Sequence, residues 1–156
     1  MYHYDNTERH GERLRDGRDH CDSPGRVLDV TDLVREATIR DPDFPEQPLN
    51  TAGEKYIFAV GAELTLHIAT DGERGKRGAV KHETLFHNAP VLAAGEIEIT
   101  GGVITFINDQ SGSYLTTGQM KVDPRIAESF LKAADGAHAQ IDSALREELD
   151  SYAGKR

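Results

Sequence analysis

The feature that most limits what this chain can fold into is the alternation of apolar and polar residues between positions 56 and 114. Successive side chains of an extended strand point to opposite faces, so a period of two marks a strand with one buried face. Tyr56, Phe58 and Val60 alternate with Ile57 and Ala59, and Leu64, Leu66 and Ile68 alternate with Glu63, Thr65 and His67. Gly61-Ala62 lies between these runs and reads as a hairpin turn. Farther on, Ile97 and Ile99 alternate with Glu96 and Glu98. Gly101-Gly102 then supplies a turn that favours positive φ, and Val103, Thr105 and Ile107 alternate with Ile104 and Phe106. Both sides of this last run are apolar, which predicts a central strand.

The flanks read differently. Val30, Leu33, Val34 and Ala37 fall at helical spacing and predict a helix over 27–39, capped by Asp29 or Thr31. Pro42, Pro45 and Pro48 end it, so 41–54 reads as an extended linker. Asp123-Pro124 is a helix-start signal. Ile126, Phe130, Leu131 and Ala134 form one apolar stripe, Gly136 a break, and Ile141, Leu145, Leu149 and Tyr152 a second stripe. The predicted fold is α+β: an antiparallel hairpin meander with an N-terminal helix and C-terminal helices packed on one face. Residues 1–26 alternate charges and hold few apolar side chains beyond Tyr2, Tyr4 and Leu14, so they read as a weakly ordered tail. Residues 27–153 form the predicted single domain.

Composition narrows the function. The formal net charge is −9 and the isoelectric point about 5.2. Phosphate neutralisation by Lys and Arg dominates nucleic-acid affinity, so nucleic acid is not the expected partner. No run approaches the roughly 20 apolar residues of a membrane span, and the N-terminus lacks an apolar signal core. The expected setting is cytoplasmic. A single cysteine, Cys21, allows no intrachain disulfide. A small molecule or a protein partner remains, and a homodimer is compatible with these numbers.

Several groupings could carry chemistry. His3, His10 and His20 near Cys21 match no metal pattern, so no metal is expected. The stretch 71–78 (DGERGKRG) is glycine-rich and cationic but does not open a helix, so it reads as an exposed loop rather than a phosphate cradle. His67 reads as a surface strand histidine. His82 and Thr84 would share one strand face, as would Glu96 and Glu98. The Glu-x-Glu spacing occurs in arginine-directed ADP-ribosyltransferases. Paired carboxylates can also shift each other's titration.

Residues 80–114, VKHETLFHNAPVLAAGEIEITGGVITFINDQSGSY, resemble a module built as Lys-His-Ser-Ser, Ala-Ala-Gly-Glu, two strands around a glycine turn, and Ser-Gly-His-Tyr. Such modules occur in bacterial effector or polymorphic-toxin proteins, and a related version occurs in plant IQ-motif calmodulin-binding proteins. The resemblance places His82 on the first histidine, Ala93 to Glu96 on the Ala-Ala-Gly-Glu segment, and Ser111, Gly112 and Tyr114 on the closing motif. Glu83-Thr84 replaces Ser-Ser, and Ser113 replaces the second histidine, which removes one acid/base group from any paired-histidine chemistry. The resulting candidate site has His82 and Glu96 as acid/base groups and Thr84, Ser111, Ser113 and Tyr114 as binding groups. It implies a small-ligand or partner-binding domain. The alternatives are an enzyme acting on an NAD-type nucleotide and an immunity or adaptor protein. The sequence assigns no cofactor.

Overall fold

The stretch YIFAVG carries no charge, and such a strand can bury both faces in the middle of a sheet. A computed structural model of the chain describes Tyr2 and residues 27–51, 56–70, 85–111 and 114–154. It places this stretch, strand β4 (Tyr56–Gly61), at the centre of a five-stranded sheet. The order across that sheet is β1 (Leu28–Asp29), β5 (Leu66–Thr70), β4, β6 (Val91–Thr100) and β7 (Val103–Ile107), all antiparallel. A two-stranded ribbon, β2 (Val34–Arg35) with β3 (Thr38–Ile39), stands beside it. The helices are α1 (Val30–Leu33), α2 (Pro124–Gly136) and α3 (Ser143–Tyr152). The α+β architecture expected from the sequence is the one observed.

The sheet has two unequal faces. On the larger, Phe58, Ile68, Ala93, Ile97, Ile99 and Ile104 pack against Ile126, Phe130 and Leu131 of α2 and Leu145 and Leu149 of α3. The rings of Phe58 and Phe130 meet edge to face with centroids 5.2 Å apart. Asp123 caps α2 by accepting the Arg125 N–H, with Pro124 at the first helical position, and Asp142 caps α3 by accepting the Leu145 N–H. On the smaller face, Ile57, Ala59, Ala69 and Ala94 form a shallow floor. Leu85, Val91 and Tyr114 complete that cluster.

Four expectations change. Residues 27–39 do not form one helix. α1 is a single turn, capped by Asp29 as expected, and the chain then turns back on itself. Glu36 and Ala37 lie between paired Arg35 and Thr38 with φ of 54° and 63°, the positive pair that a two-residue hairpin requires. The segment is rich in β-branched residues, which suit the ribbon better than a helix.

The stretch 41–54 is not a bare linker across its described part. Leu49 and Thr51 are buried, the Thr51 N–H donates to Ile99 O, and the Thr51 hydroxyl accepts the Ile99 N–H. Asn50 Oδ1 accepts the Gly101 N–H and Leu49 O the Gly102 N–H, so this segment straps the β6–β7 turn.

β7 is an edge strand, not a central one. A register shift opposite Glu98–Ile99 interrupts its alternation, leaving Ile104 and Ile107 buried and Thr105 and Phe106 exposed. Its edge is shielded at Ile104, whose N–H donates to Gln140 O and whose carbonyl accepts the Asp142 N–H. Finally, Gly61 closes β4 rather than starting the turn. The turn runs through Leu64 at φ 62°, and a Cβ on Gly61 would lie 2.5 Å from the Phe86 ring.

Candidate functional site

The site is built where β6 and β7 part company. Glu96 stands on β6 opposite Ile57 and points to the smaller face, since its neighbours Gly95 and Ile97 belong to the other. Beyond Ile107 the chain does not peel away from β6. The Asn108 N–H donates to Glu96 O at 3.0 Å, the Asn108 side-chain amide donates to Glu96 Oε1 at 2.8 Å, and Asn108 Oδ1 accepts the Glu96 N–H at 2.8 Å. Asn108 thus uses backbone and side chain together on one residue. The approach is so close that a Cβ on Gly95 would sit 1.9 Å from Asn108 O, which explains why glycine precedes Glu96.

The next residues tighten the same knot. Asn108 Oδ1 also accepts the Gln110 N–H, an Asx turn, and Ser111 Oγ accepts the Tyr114 N–H, a serine turn. Asp109 Oδ2 accepts the Met120 N–H at 2.9 Å. The fully buried Thr116 hydroxyl lies 3.1 Å from Ala94 O and 2.8 Å from Asp109 O, joining the loop to the middle of β6. Thr117 Oγ1 accepts the Ser111 N–H. Residues 108–111 and 114–120 are held by side-chain hydrogen bonds where they have few large apolar side chains to bury.

Glu96 and Ser111 therefore share one polar knot, linked through Asn108 and Gln110. Tyr114 is 1 % exposed, its ring lies in the smaller core, and its hydroxyl donates to Ala89 O at 2.8 Å, beside the start of β6. His82, Thr84 and Ser113 lie outside the described residues, as do positions 71–84, the tail histidines and Cys21. Glu98 is exposed on the same face as Glu96 and pairs across the strands with Phe106, which is 42 % exposed. Glu96, Glu98 and Phe106 form an acidic and aromatic ridge at the outer end of the smaller face.

His67 is not the surface histidine its strand position suggested. Its ring stacks on Phe86, with centroids 4.0 Å apart and planes 3° from parallel. Its Nδ1 lies 2.8 Å from Leu85 O, which can only accept, so Nδ1 carries a proton. Nε2 faces Asp29 Oδ2 at 3.8 Å. The pair joins β1, β5 and the 85–90 turn at the opposite rim of the smaller face. Among the described residues no group of three His, Cys, Asp or Glu side chains could hold a metal ion. A groove along α3 is lined by charged and hydroxyl side chains of that helix, and no predicted site residue borders it.

Asn108, Asp109, Thr116 and Thr117 were missed in the sequence. The readable signal was the run NDQS, an Asx and serine turn cluster immediately after a strand. Such a run signals a turn without saying which strand the turn will grip.

The fold and site together define a small α+β domain whose sheet is covered by helices on one face and fastened by a polar loop on the other. Residues 42–121 match the model of the IQ motif-containing protein middle domain, just over half of the chain, and the chain belongs to this family. The match carries the IQ-motif part of the resemblance seen in residues 80–114. It spans the strap, β4 to β7 and the polar knot, and ends before α2. No curated protein and no solved structure matches the chain. No described helix is long and apolar enough to cross a membrane.

Proposed function

We propose that this domain binds a protein partner through the outer end of the smaller sheet face. The observation that carries the reading is the ridge of Glu96, Glu98 and Phe106, set on two paired strands and held in place by Asn108. Two carboxylates beside an exposed aromatic ring suit a partner surface that is basic and apolar. The rigid seat lowers the ordering cost of binding. The family name supports a protein partner and brings calmodulin forward as one to try. The ridge lies within the residues that match the family.

The test is affinity capture from a lysate of the native host, with wild type and Glu98→Lys/Phe106→Ala compared, and purified calmodulin run separately with and without calcium. A partner retained by wild type and lost by the double variant, at unchanged melting temperature, is the expected result. Identical retention by both proteins overturns the reading. The enzymatic alternative, in which Glu96 or Glu98 stabilises charge on an NAD-type nucleotide in an effector or toxin setting, makes a separate forecast. It requires NAD loss and toxicity on expression of wild type, abolished by Glu96→Gln.

A further inference from the structure

Beyond Asn108, the flank of β6 that β7 vacates does not stay bare. Tyr2 occupies it at Val91. The Tyr2 N–H donates to Val91 O at 2.5 Å and the Val91 N–H donates to Tyr2 O at 2.6 Å, the reciprocal bonding of an antiparallel pair. The Tyr2 ring packs against both core clusters, and its hydroxyl donates to Asp123 Oδ2 at 2.9 Å. Asp123 is fixed in turn as the cap of α2 and by the Arg125 guanidinium. Burial, and then the bond to Asp123, push the Tyr2 phenol up to about 12, so it remains a donor at neutral pH.

These contacts form a recognition set with three separable parts: the backbone of β6 at Val91, an aromatic seat and a carboxylate at its end. We propose that this flank of β6 is a strand-addition slot for an extended peptide carrying a tyrosine, and that Tyr2 is its occupant in cis. The edge fixes the peptide backbone in the manner of β-augmentation. The ionised carboxylate only accepts hydrogen bonds, so it selects tyrosine over phenylalanine. Tyr2 is joined to β6 at Val91 by one reciprocal pair of backbone bonds. Because Tyr2 belongs to the same chain, a competing peptide meets it as an intramolecular rival.

The experiment uses the full chain. Uniformly labelled wild type and Tyr2→Ala are titrated with a synthetic peptide of sequence MYHYDN and followed by amide NMR. In Tyr2→Ala, saturable shifts are expected at Val91, Asp123 and Arg125, with affinity at least about tenfold above that for wild type, where Tyr2 competes. A peptide with phenylalanine in place of its first tyrosine, or N-methylated at that residue, should bind about tenfold more weakly. Absence of saturable shifts in folded Tyr2→Ala, or equal affinity for both proteins, overturns the proposal. If Tyr2→Ala does not fold, Tyr2→Phe keeps the ring and the backbone pair and removes only the phenol. The peptide must then compete better than against wild type, and failure to do so also overturns it.

Discussion

The two faces of one sheet are held by different physics. On the larger face, aliphatic and aromatic side chains interdigitate with two amphipathic helices, and stability comes from apolar area removed from water. On the smaller face the floor is mostly alanine, which buries little. There the cover is fastened by hydrogen bonds: Asn108 on Glu96, Thr116 on Ala94 and Asp109, and Tyr114 on Ala89. The difference teaches where function can be sought. A packed helical face is already spent on folding, whereas a face tied down by directed bonds keeps a fixed shape with its rim open.

If that contrast is right, the largest losses come from the helical face. Phe130→Ala removes the ring that meets Phe58 and leaves a cavity, with an expected cost of about 3–5 kcal/mol. Chemical denaturation should show a lower midpoint with an unchanged slope. A loss under about 1 kcal/mol would mean that the helices are not the main support.

Gly95→Ala comes next, at about 2–3 kcal/mol. The added methyl collides with Asn108 O at 1.9 Å, and backbone cannot swing aside as a side chain can. This variant also sharpens the contrast. It should loosen the 108–120 loop in hydrogen exchange while α2 and α3 stay protected. Uniform loss of protection would show that the two faces do not respond separately.

The sequence made this architecture only partly legible. The strands β4 to β6 and both C-terminal helices were readable because alternation, Gly101-Gly102 and Asp123-Pro124 are local signals. The β2–β3 ribbon was hidden because Val30, Leu33, Val34 and Ala37 imitate a helical stripe. Its turn uses Glu36 and Ala37 at positive φ, where a glycine or asparagine would have announced it. The edge position of β7 depends on a register shift and on residues 140–142, which no local pattern reveals. For the site, the resemblance singled out Glu96, Ser111 and Tyr114, but not that Tyr114 turns its hydroxyl to Ala89. The partner that fixes Glu96, Asn108, lies 12 residues away across a hairpin, and spacing alone does not encode that.

Thr116→Val tests the knot from its buried side. The substitution keeps the shape and removes the hydroxyl shared by Ala94 O and Asp109 O, leaving buried carbonyls without it, at about 1–2 kcal/mol. Tyr114→Phe should cost about 1 kcal/mol, because one hydrogen bond to Ala89 O is lost and the ring still fills the smaller core. Should Tyr114→Phe prove costlier than Thr116→Val, the ring's orientation rather than the knot would be what holds the cover.

The smallest effect belongs to the junction that spans both faces, Tyr2 with Asp123 and Arg125. The Arg125 guanidinium, opposed by partial burial and helped by the Arg125 N–H and the Tyr2 phenol, holds the Asp123 carboxyl down at about 2. A carboxyl whose folded value lies below its unfolded value contributes stability above the unfolded value and loses it as pH falls. The contribution is therefore complete above about pH 4 and fades between pH 4 and 2. Tyr2 has the opposite sign: raised to about 12, its contribution holds below pH 10 and fades between pH 10 and 12. Arg125 is largely exposed, so salt screens this pair and its worth is modest. Asp123→Asn should flatten the acid limb of the melting curve relative to wild type, and Tyr2→Phe should flatten the alkaline limb. If each substitution instead lowered stability equally at all pH values, the junction would act by shape alone, and the link between the two faces would be packing rather than charge.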